Sequence, residues 1–233
     1  MACPICSSAS APFVVRDANV LVRCTGCGLV YMDPPPAAEA VKAMYADGYD
    51  GATTGYFTKI DAKLKRCRRR MRRIVRMLGA TQGRKFLDVG SNAGISATGL
   101  EPDGAAVDWA RRRFPGNRFV HGLLEESAFG DERFDVIYCS EVIEHASDCN
   151  RFAAALAGLL APGGLLFLTT PDISHWRRPR DLDRWDEFCP PAHCTYFSPS
   201  NLTLLLAKHG LSVAWRAWAF KPGIKLIARK TSG

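Results

Sequence analysis

Four cysteines near the N-terminus have the spacing of a metal site. Cys3 and Cys6 form one C-x2-C pair, and Cys24 and Cys27 form a second. Two such pairs can place four thiolates at the corners of a tetrahedron, the geometry that zinc prefers in structural sites. We therefore expect a closed zinc ribbon with these four ligands; free thiols and an iron–sulfur site are the alternatives.

A second group of reactive side chains follows a continuous apolar run. Residues 134–139 predict a buried strand of a parallel sheet, and Ser140, Glu141, Glu144 and His145 come directly after it. Ligands of open α/β sheets bind beyond the carboxyl ends of the strands. An imidazole titrates near neutral pH, so His145 is the candidate general base and Glu144 its orienting carboxylate. The alternative is that both residues only cap and pack the segment that follows.

A glycine-bearing loop and an acidic residue mark another part of the expected sheet. Residues 86–89 predict a strand that ends at Gly90, and residues 97–103 predict a second strand that contains Glu101. Glycines let a nucleoside approach the backbone, and the carboxylate accepts ribose hydroxyls. The second strand follows Gly94 almost at once, whereas parallel neighbours need a crossover of about a dozen residues. Either the chain lacks the crossover helix, or the printed sequence omits residues there; we expect the omission, because so short a link could not join parallel strands.

Five segments resemble, in order, the motifs of class I S-adenosylmethionine-dependent methyltransferases: LDVGSNAG at 87–94, GLEP at 99–102, FDVI at 134–137, EVIEH at 141–145 and LAPGG at 160–164. The resemblance extends from about residue 85 to the C-terminus. It implies a doubly wound, mostly parallel Rossmann-like α/β sheet and S-adenosylmethionine as cofactor. A dinucleotide enzyme fits less well, because the loop lacks the G-x-G-x-x-G fingerprint.

The resemblance also implies cofactor contacts. These are Asp88, Gly90, Asn92 and Gly94 at the methionine end, Glu101 at the ribose, Glu125 at the adenine, and Ser140 after the fourth strand. A solvated acidic turn is the alternative for Glu125. The family has a helix after the glycine loop, with its N-terminus towards the methionine carboxylate. A chain without that helix could instead be a non-catalytic zinc-ribbon protein with a degenerate methyltransferase fold.

His193 precedes a predicted late helix, where related methyltransferases also have a histidine, and is the third candidate catalytic residue. With Glu141, Glu144 and His145 it resembles the two-carboxylate, two-histidine metal site of small-RNA 3′-end 2′-O-methyltransferases. Metal-assisted RNA 2′-O-methylation is therefore an alternative function. The same E-x-x-E-H motif also occurs in small-molecule methyltransferases without a metal.

We expect the chain to divide into a ribbon at 1–33, a connecting region at 34–80 and a catalytic domain at 81–233. Tyr45, Tyr49 and Tyr56 could line a substrate pocket or lie in a surface loop. Residues 59–78 predict a basic amphipathic helix. Its cations could hold the phosphates of RNA or of a nucleotide-linked substrate, or simply be solvated, and no aromatic residues interleave with them as a single-strand surface requires.

Net charge and the distribution of apolar residues limit the partners and the location that we expect. The 233 residues carry a formal net charge of +8, which favours anionic partners without identifying one. The sequence has no apolar run long enough to span a membrane and no signal-like N-terminus, so we expect a cytoplasmic protein without a membrane partner. The prediction is a methyltransferase that acts on a small hydroxylated or sugar-like metabolite.

Overall fold

The computed structural model describes residues 2–37, 40–41, 43, 60–79, 82–90, 98–126 and 129–231. Within these ranges the N-terminal region forms a small antiparallel sheet. Its strands are β1 (Ser10–Arg16), β2 (Asn19–Cys24), β3 (Val30–Met32) and, from late in the chain, β9 (Thr195–Tyr196), in the order β1-β2-β3-β9. The ribbon is therefore joined to the rest of the chain by backbone hydrogen bonds. The predicted boundary at residue 33 stays a prediction.

The central sheet has the order β10-β11-β8-β7-β4-β5-β6. Its strands are β4 (Phe86–Val89), β5 (Thr98–Glu101), β6 (Arg118–His121), β7 (Phe134–Ser140), β8 (Leu160–Thr170), β10 (Leu211–Arg216) and β11 (Ile224–Lys230). The pairs among β6, β5, β4, β7 and β8 are parallel, and β11 lies antiparallel between β8 and β10. This arrangement confirms the doubly wound, mostly parallel fold.

The link between β4 and β5 corrects one expectation. Leu87 pairs with Thr98 and Val89 with Leu100 in parallel register, although only residues 90–97 connect the two strands. An extended chain covers about 3.3–3.6 Å per residue, so this link can reach roughly 27 Å. To start a parallel strand, the link must run back along the four residues of β4, a distance of only about 13 Å. The prediction that such a link could not join a parallel pair is therefore wrong; residues 91–97 lie outside the described ranges.

The described helices of more than one turn are α1 (Ile60–Leu78), α2 (Gly104–Arg113), α3 (Cys149–Leu159) and α4 (Pro199–Lys208). Asp103, Asp148 and Ser198 cap the N-termini of α2, α3 and α4 with side-chain oxygens that accept backbone N–H hydrogen bonds. Helix α3 ends at Leu159, and β8 begins directly after it at Leu160.

Helix α1 covers one face of the central sheet. Ile74, fully buried, packs with side chains of β7, β8 and β11, among them Val136, Phe167 and Ile227. The larger core on the other face includes Phe152 of α3 and residues of the ribbon. In the described part of the chain, no helix is both long and apolar enough to cross a membrane. The tyrosines predicted to line a pocket lie outside the described ranges.

Candidate functional site

The four N-terminal cysteines form one cluster. Their sulfur atoms lie within 4.8 Å of one another, with Cys3 Sγ 3.6 Å from Cys27 Sγ and Cys6 Sγ 3.4 Å from Cys24 Sγ. Thiolates bound to zinc at about 2.3 Å would stand roughly 3.8 Å apart at the corners of a tetrahedron. The sulfur spacing therefore fits a zinc ion.

The backbone of the cluster also suits thiolate ligands. The N–H of Ile5 points at Cys3 Sγ at 3.4 Å, and the N–H of Cys27 points at Cys24 Sγ at 3.3 Å. Such donors stabilise negative charge on sulfur. Hydrogen bonds from Ser8 lower the pKa of the Cys6 thiol to about 6, whereas burial raises the pKa of Cys3.

The carboxyl ends of β4 and β5 hold two buried carboxyl groups. Asp88 is 8% exposed and Glu101 is 5% exposed. Burial raises the pKa of Glu101 to about 7, and burial together with the charge of Glu101 raises the pKa of Asp88 to about 8. Glu101 Oε1 accepts the N–H of Asp103 at 3.2 Å, but Oε2 has no partner among the described residues. A buried oxygen of this kind fits the predicted contact with ribose hydroxyls.

Gly90 turns the chain directly after β4. Its φ is +72°, and an added Cβ would lie 2.7 Å from Cγ2 of Val142. Only glycine fits there, because both the backbone conformation and the space exclude a side chain. The predicted cofactor residues Asn92 and Gly94 lie outside the described ranges.

A cleft of about 130 Å³ opens beside Gly90. The side chains that line it include Leu100, Glu125, His145 and Arg151. Burial raises the pKa of Glu125, which lies in a short 3-10 helix at Leu124–Glu126. The cleft thus brings the predicted adenine residue and the predicted base to one cavity at the carboxyl edge of the sheet.

Glu144, His145 and His193 form the second cluster. One ring nitrogen of each histidine and one carboxylate oxygen lie within 4.8 Å of one another, and the ring centroids are 4.5 Å apart. His145 Nδ1 lies 2.8 Å from the oxygen of Ala192, and His193 Nδ1 lies 2.7 Å from that of Glu187. Carbonyl oxygens only accept, so each Nδ1 donates and Nε2 carries the lone pair of the neutral ring.

Burial decides the charge of this cluster. It lowers the pKa of His145 to about 4, helped by the nearby His193, and it also lowers the pKa of His193. Both rings are therefore neutral at neutral pH. Burial, reinforced by the charge of Glu141, raises the pKa of Glu144 well above its usual range. Glu144 Oε2 accepts the Thr170 hydroxyl at 2.9 Å.

A chain of hydrogen bonds connects α1 to the neighbouring Glu141. Arg70 Nη1 donates to Ser140 Oγ at 2.8 Å and to the hydroxyl of Tyr138 at 2.7 Å. Ser140 Oγ lies 2.8 Å from Thr169 Oγ1, which donates to Glu141 Oε1 at 2.6 Å. Arginine can only donate, so Ser140 donates its hydroxyl hydrogen bond to Thr169, Thr169 donates to Glu141, and Glu141 is the final acceptor.

Sequence reasoning found some of these residues and missed others. The structure brings the neighbours Glu144 and His145 together with His193, which is distant in the chain, and it engages the hydroxyl of Ser140 with Arg70 and Thr169. It was the supporting residues that sequence reasoning missed: Arg70, Thr169 and Thr170. The two threonines end a parallel strand, which is a usable signal, whereas Arg70 is one cation among many on α1.

Comparison with known families gives one assignment for most of the chain. The model of the family described as "Methyltransferase domain" matches residues 62–214. A probable S-adenosylmethionine-dependent methyltransferase of Mycolicibacterium smegmatis is 30% identical over 141 residues, which are 56% of this chain and 53% of that protein. A ubiquinone biosynthesis O-methyltransferase of Bordetella avium is 32% identical over 117 residues, 43% of this chain and 48% of that protein. The chain thus spans about half the length of these relatives.

Solved structures support the fold. Magnesium protoporphyrin IX methyltransferase from Synechocystis PCC 6803, solved with bound SAH, has a TM-score of 0.58 at 14% identity, covering 83% of this chain and 99% of that one. An S-adenosylmethionine-dependent methyltransferase from Mesorhizobium loti has a TM-score of 0.54 at 15% identity, covering 66% and 94%. At these identities the likeness concerns the fold alone.

Proposed function

Because this chain belongs to the methyltransferase-domain family, we propose that it transfers a methyl group from S-adenosylmethionine to a hydroxyl of a small, sugar-like metabolite. The observation that carries this proposal is the position of His145. It lines the cleft beside Gly90 and also contacts His193 and Glu144. Relatives named ubiquinone biosynthesis O-methyltransferases agree with a hydroxyl acceptor.

The cofactor would lie along the carboxyl ends of β4 and β5. In this proposal Asp88 and Gly90 contact its methionine end, with Asn92 and Gly94 as further predicted contacts, and Ser140 lies beside them. The orphaned Oε2 of Glu101 accepts the ribose hydroxyls, and Glu125 accepts from the adenine amine. The sulfonium of the cofactor supplies an electrophilic methyl group.

His145 then removes the proton of the acceptor hydroxyl. Methyl transfer is an in-line displacement, so the protein aligns the acceptor oxygen and removes its proton. The lowered pKa keeps the ring neutral with a lone pair on one nitrogen. Its hydrogen bond to the oxygen of Ala192 fixes the orientation. Glu144 and His193 lie next to the ring.

A second candidate function is metal-assisted methylation of a hydroxyl, with the RNA 2′-hydroxyl as the predicted form. The observation in its favour is that Glu144 Oε1 is buried and has no partner among the described residues, while ligand atoms of His145 and His193 lie within 4.8 Å. A divalent cation held there would supply Lewis acidity that lowers the pKa of the hydroxyl. His145 would then be a ligand and not the base.

Zinc in the ribbon is part of the same proposal. The sulfur spacing of Cys3, Cys6, Cys24 and Cys27 supports it. The ribbon strand β3 pairs with β9, only a few residues from His193. A folded ribbon would therefore help to position the histidine.

The experiment is an incubation of the protein with labelled S-adenosylmethionine and a panel of hydroxylated and sugar metabolites, with and without a chelator. Label transfer that survives chelation supports His145 as the base. Transfer that requires added Mn²⁺ or Mg²⁺ supports the second candidate, and transfer to RNA oligonucleotides alone identifies its RNA form. The absence of transfer to any metabolite or RNA would contradict both.

A further inference from the structure

Three large aromatic side chains lie exposed on two neighbouring loops. Trp176 is 74% exposed, Trp218 79% and Phe220 58%. The rings of Trp218 and Phe220 are 6.0 Å apart. The guanidinium carbon of Arg177 lies 5.4 Å from the ring centre of Trp176 and 3.8 Å from that of Phe220. We call Trp176, Trp218 and Phe220 the aromatic cluster; exposed apolar groups this large, side by side, mark an interaction surface.

A hydrogen bond from His175 joins the two loops that carry the aromatic cluster. The backbone N–H of Arg177 donates to Nδ1 of His175 at 3.1 Å, so Nε2 carries the proton and donates to the oxygen of Ala219 at 3.0 Å. The ring of His175 also stacks with that of Trp176 at 5.9 Å. The aromatic rings are therefore displayed by a fixed backbone.

The aromatic cluster lies at the same edge of the sheet as the candidate active site. Ile224 follows the loop that carries Trp218 and Phe220. It pairs with Thr170, and the hydroxyl of Thr170 donates a hydrogen bond to Glu144. Helix α1 extends to this edge, because Ile74 packs on Phe167 and Ile227 while Arg70, one turn earlier, donates to Ser140 at the end of β7. The N-terminal half of α1 therefore lies at the same edge as this loop.

Positive charge surrounds the aromatic cluster. Exposed cations on its two loops and on the nearby half of α1 are Arg177, Arg180, Lys221, Lys65, Arg66 and Arg69. Asp172, four residues before Trp176, is buried, and the exposed Asp181 and Asp183 are partnered by Arg184 and Arg16 at 3.5 and 3.6 Å. The surface is therefore complementary to an anionic partner.

The orientation of the rings separates two classes of anionic partner. Nucleobases stack on open ring faces. Here Arg177 lies over the rings of both Trp176 and Phe220, and His175 stacks with Trp176, so part of the ring surface on which a base would stack is already covered. A lipid headgroup layer takes tryptophan and phenylalanine with their neighbouring cations in any orientation.

The sequence predicts no membrane partner, because no apolar run could span a bilayer; surface docking needs no such run, and we propose that the aromatic cluster docks the protein on an anionic phospholipid bilayer. Trp176, Trp218 and Phe220 enter the headgroup region, and Arg177, Lys221 and the cations of α1 contact lipid phosphates. Cations near an anionic surface are attracted to it, and the aromatic rings add apolar burial. The docked protein presents its candidate active site to the bilayer. Docking is independent of the methyl-transfer proposal.

Vesicle sedimentation tests this proposal. The full chain is mixed with vesicles of phosphatidylcholine alone, or of phosphatidylcholine with phosphatidylglycerol, at low and high salt. We expect binding to the anionic vesicles that weakens with salt. The double variant Trp218→Ser/Phe220→Ser should bind at least about tenfold more weakly. Leu204→Ser, at a position 51% exposed on α4, is the matched control and should bind like the unchanged protein.

Circular dichroism and thermal unfolding show that each variant is folded, which the exposure of the substituted side chains favours. Three results would overturn the proposal. The first is failure of the unchanged protein to sediment with anionic vesicles at low salt, and the second is binding of the double variant as tight as that of the unchanged protein. The third is binding to a single-stranded RNA oligonucleotide, dependent on Trp218 and Phe220, without binding to vesicles.

Discussion

The hydroxyl of Thr170 donates a 2.9 Å hydrogen bond to Oε2 of Glu144, a side chain that is 1% exposed. Thr170 ends β8 and Glu144 follows β7, so this bond joins the carboxyl ends of two parallel strands at the candidate active site. Because the other oxygen of Glu144 has no partner among the described residues, the carboxyl group depends on Thr170 for its orientation.

Thr170→Val should therefore destabilise the protein by about 1–3 kcal/mol, because it leaves a second buried oxygen without a hydrogen bond. Urea unfolding measures the change. The control is Thr25→Val, which removes an exposed hydroxyl that donates to the oxygen of Ala9 at 2.8 Å and should cost less than about 1 kcal/mol. Equal losses in the two variants would contradict the structural role of Thr170.

Glu101→Ala should weaken the binding of S-adenosylhomocysteine at least about tenfold, because the ribose hydroxyls lose a charge-assisted acceptor. Isothermal calorimetry measures the affinity. Asp131→Ala changes an exposed carboxylate elsewhere and is the control. Unchanged affinity in Glu101→Ala would remove the ribose assignment.

The same affinity should depend on pH. Burial raises the pKa of Glu101 to about 7 in the folded protein, from an ordinary 4.5. The ionised carboxylate accepts ribose hydroxyls best, so affinity should rise from pH 6 to pH 8. Since the ionised form is disfavoured on folding, this group should also reduce the stability of the unliganded protein as pH rises from 4.5 through 7. Glu101→Gln should flatten both dependences; a slope unchanged in that variant would assign the effect to another group, such as Asp88.

Cys24→Ser should release the metal of the ribbon and destabilise the protein, because three thiolates cannot complete a closed zinc site. Elemental analysis gives the zinc content, and thermal unfolding gives the stability. Cys189→Ser, outside the cluster of sulfur atoms, is the control and should keep its zinc. Full zinc content in Cys24→Ser would count against the ribbon.

His145→Ala should lower the rate of methyl transfer to the acceptor found in the metabolite screen by about 10²–10⁴-fold. Its affinity for S-adenosylhomocysteine should stay within a few-fold of the unchanged protein. His209→Ala, at the C-terminal end of α4, is the control. An unaffected rate in His145→Ala would contradict the role of this residue as base or as ligand.

The sequence predicted the elements whose patterns are local. The continuous apolar run at 134–139 and the glycine turn after 86–89 correspond to β7 and β4. The stripe of apolar residues at 59–78 corresponds to α1. These succeed because burial on one or both faces dictates the residue types at each position.

Contacts between distant segments were not predictable in the same way. The aromatic cluster combines residues 176, 218 and 220, and no local pattern connects them. Likewise, Arg70 reaches Ser140 across the sheet although nothing distinguishes it from the other cations of α1. The prediction that so short a link could not join β4 and β5 in parallel was wrong, because the usual crossover length was treated as a minimum, whereas a short strand needs only a short return.

The most direct test of the central claim, a methyltransferase that binds S-adenosylmethionine, is calorimetric titration of the folded, zinc-loaded protein with S-adenosylhomocysteine. Binding of one equivalent in the micromolar range, abolished or strongly weakened in Glu101→Ala, is the result that we predict. No binding by protein that is folded and zinc-loaded would contradict the claim and favour a non-catalytic role for the fold.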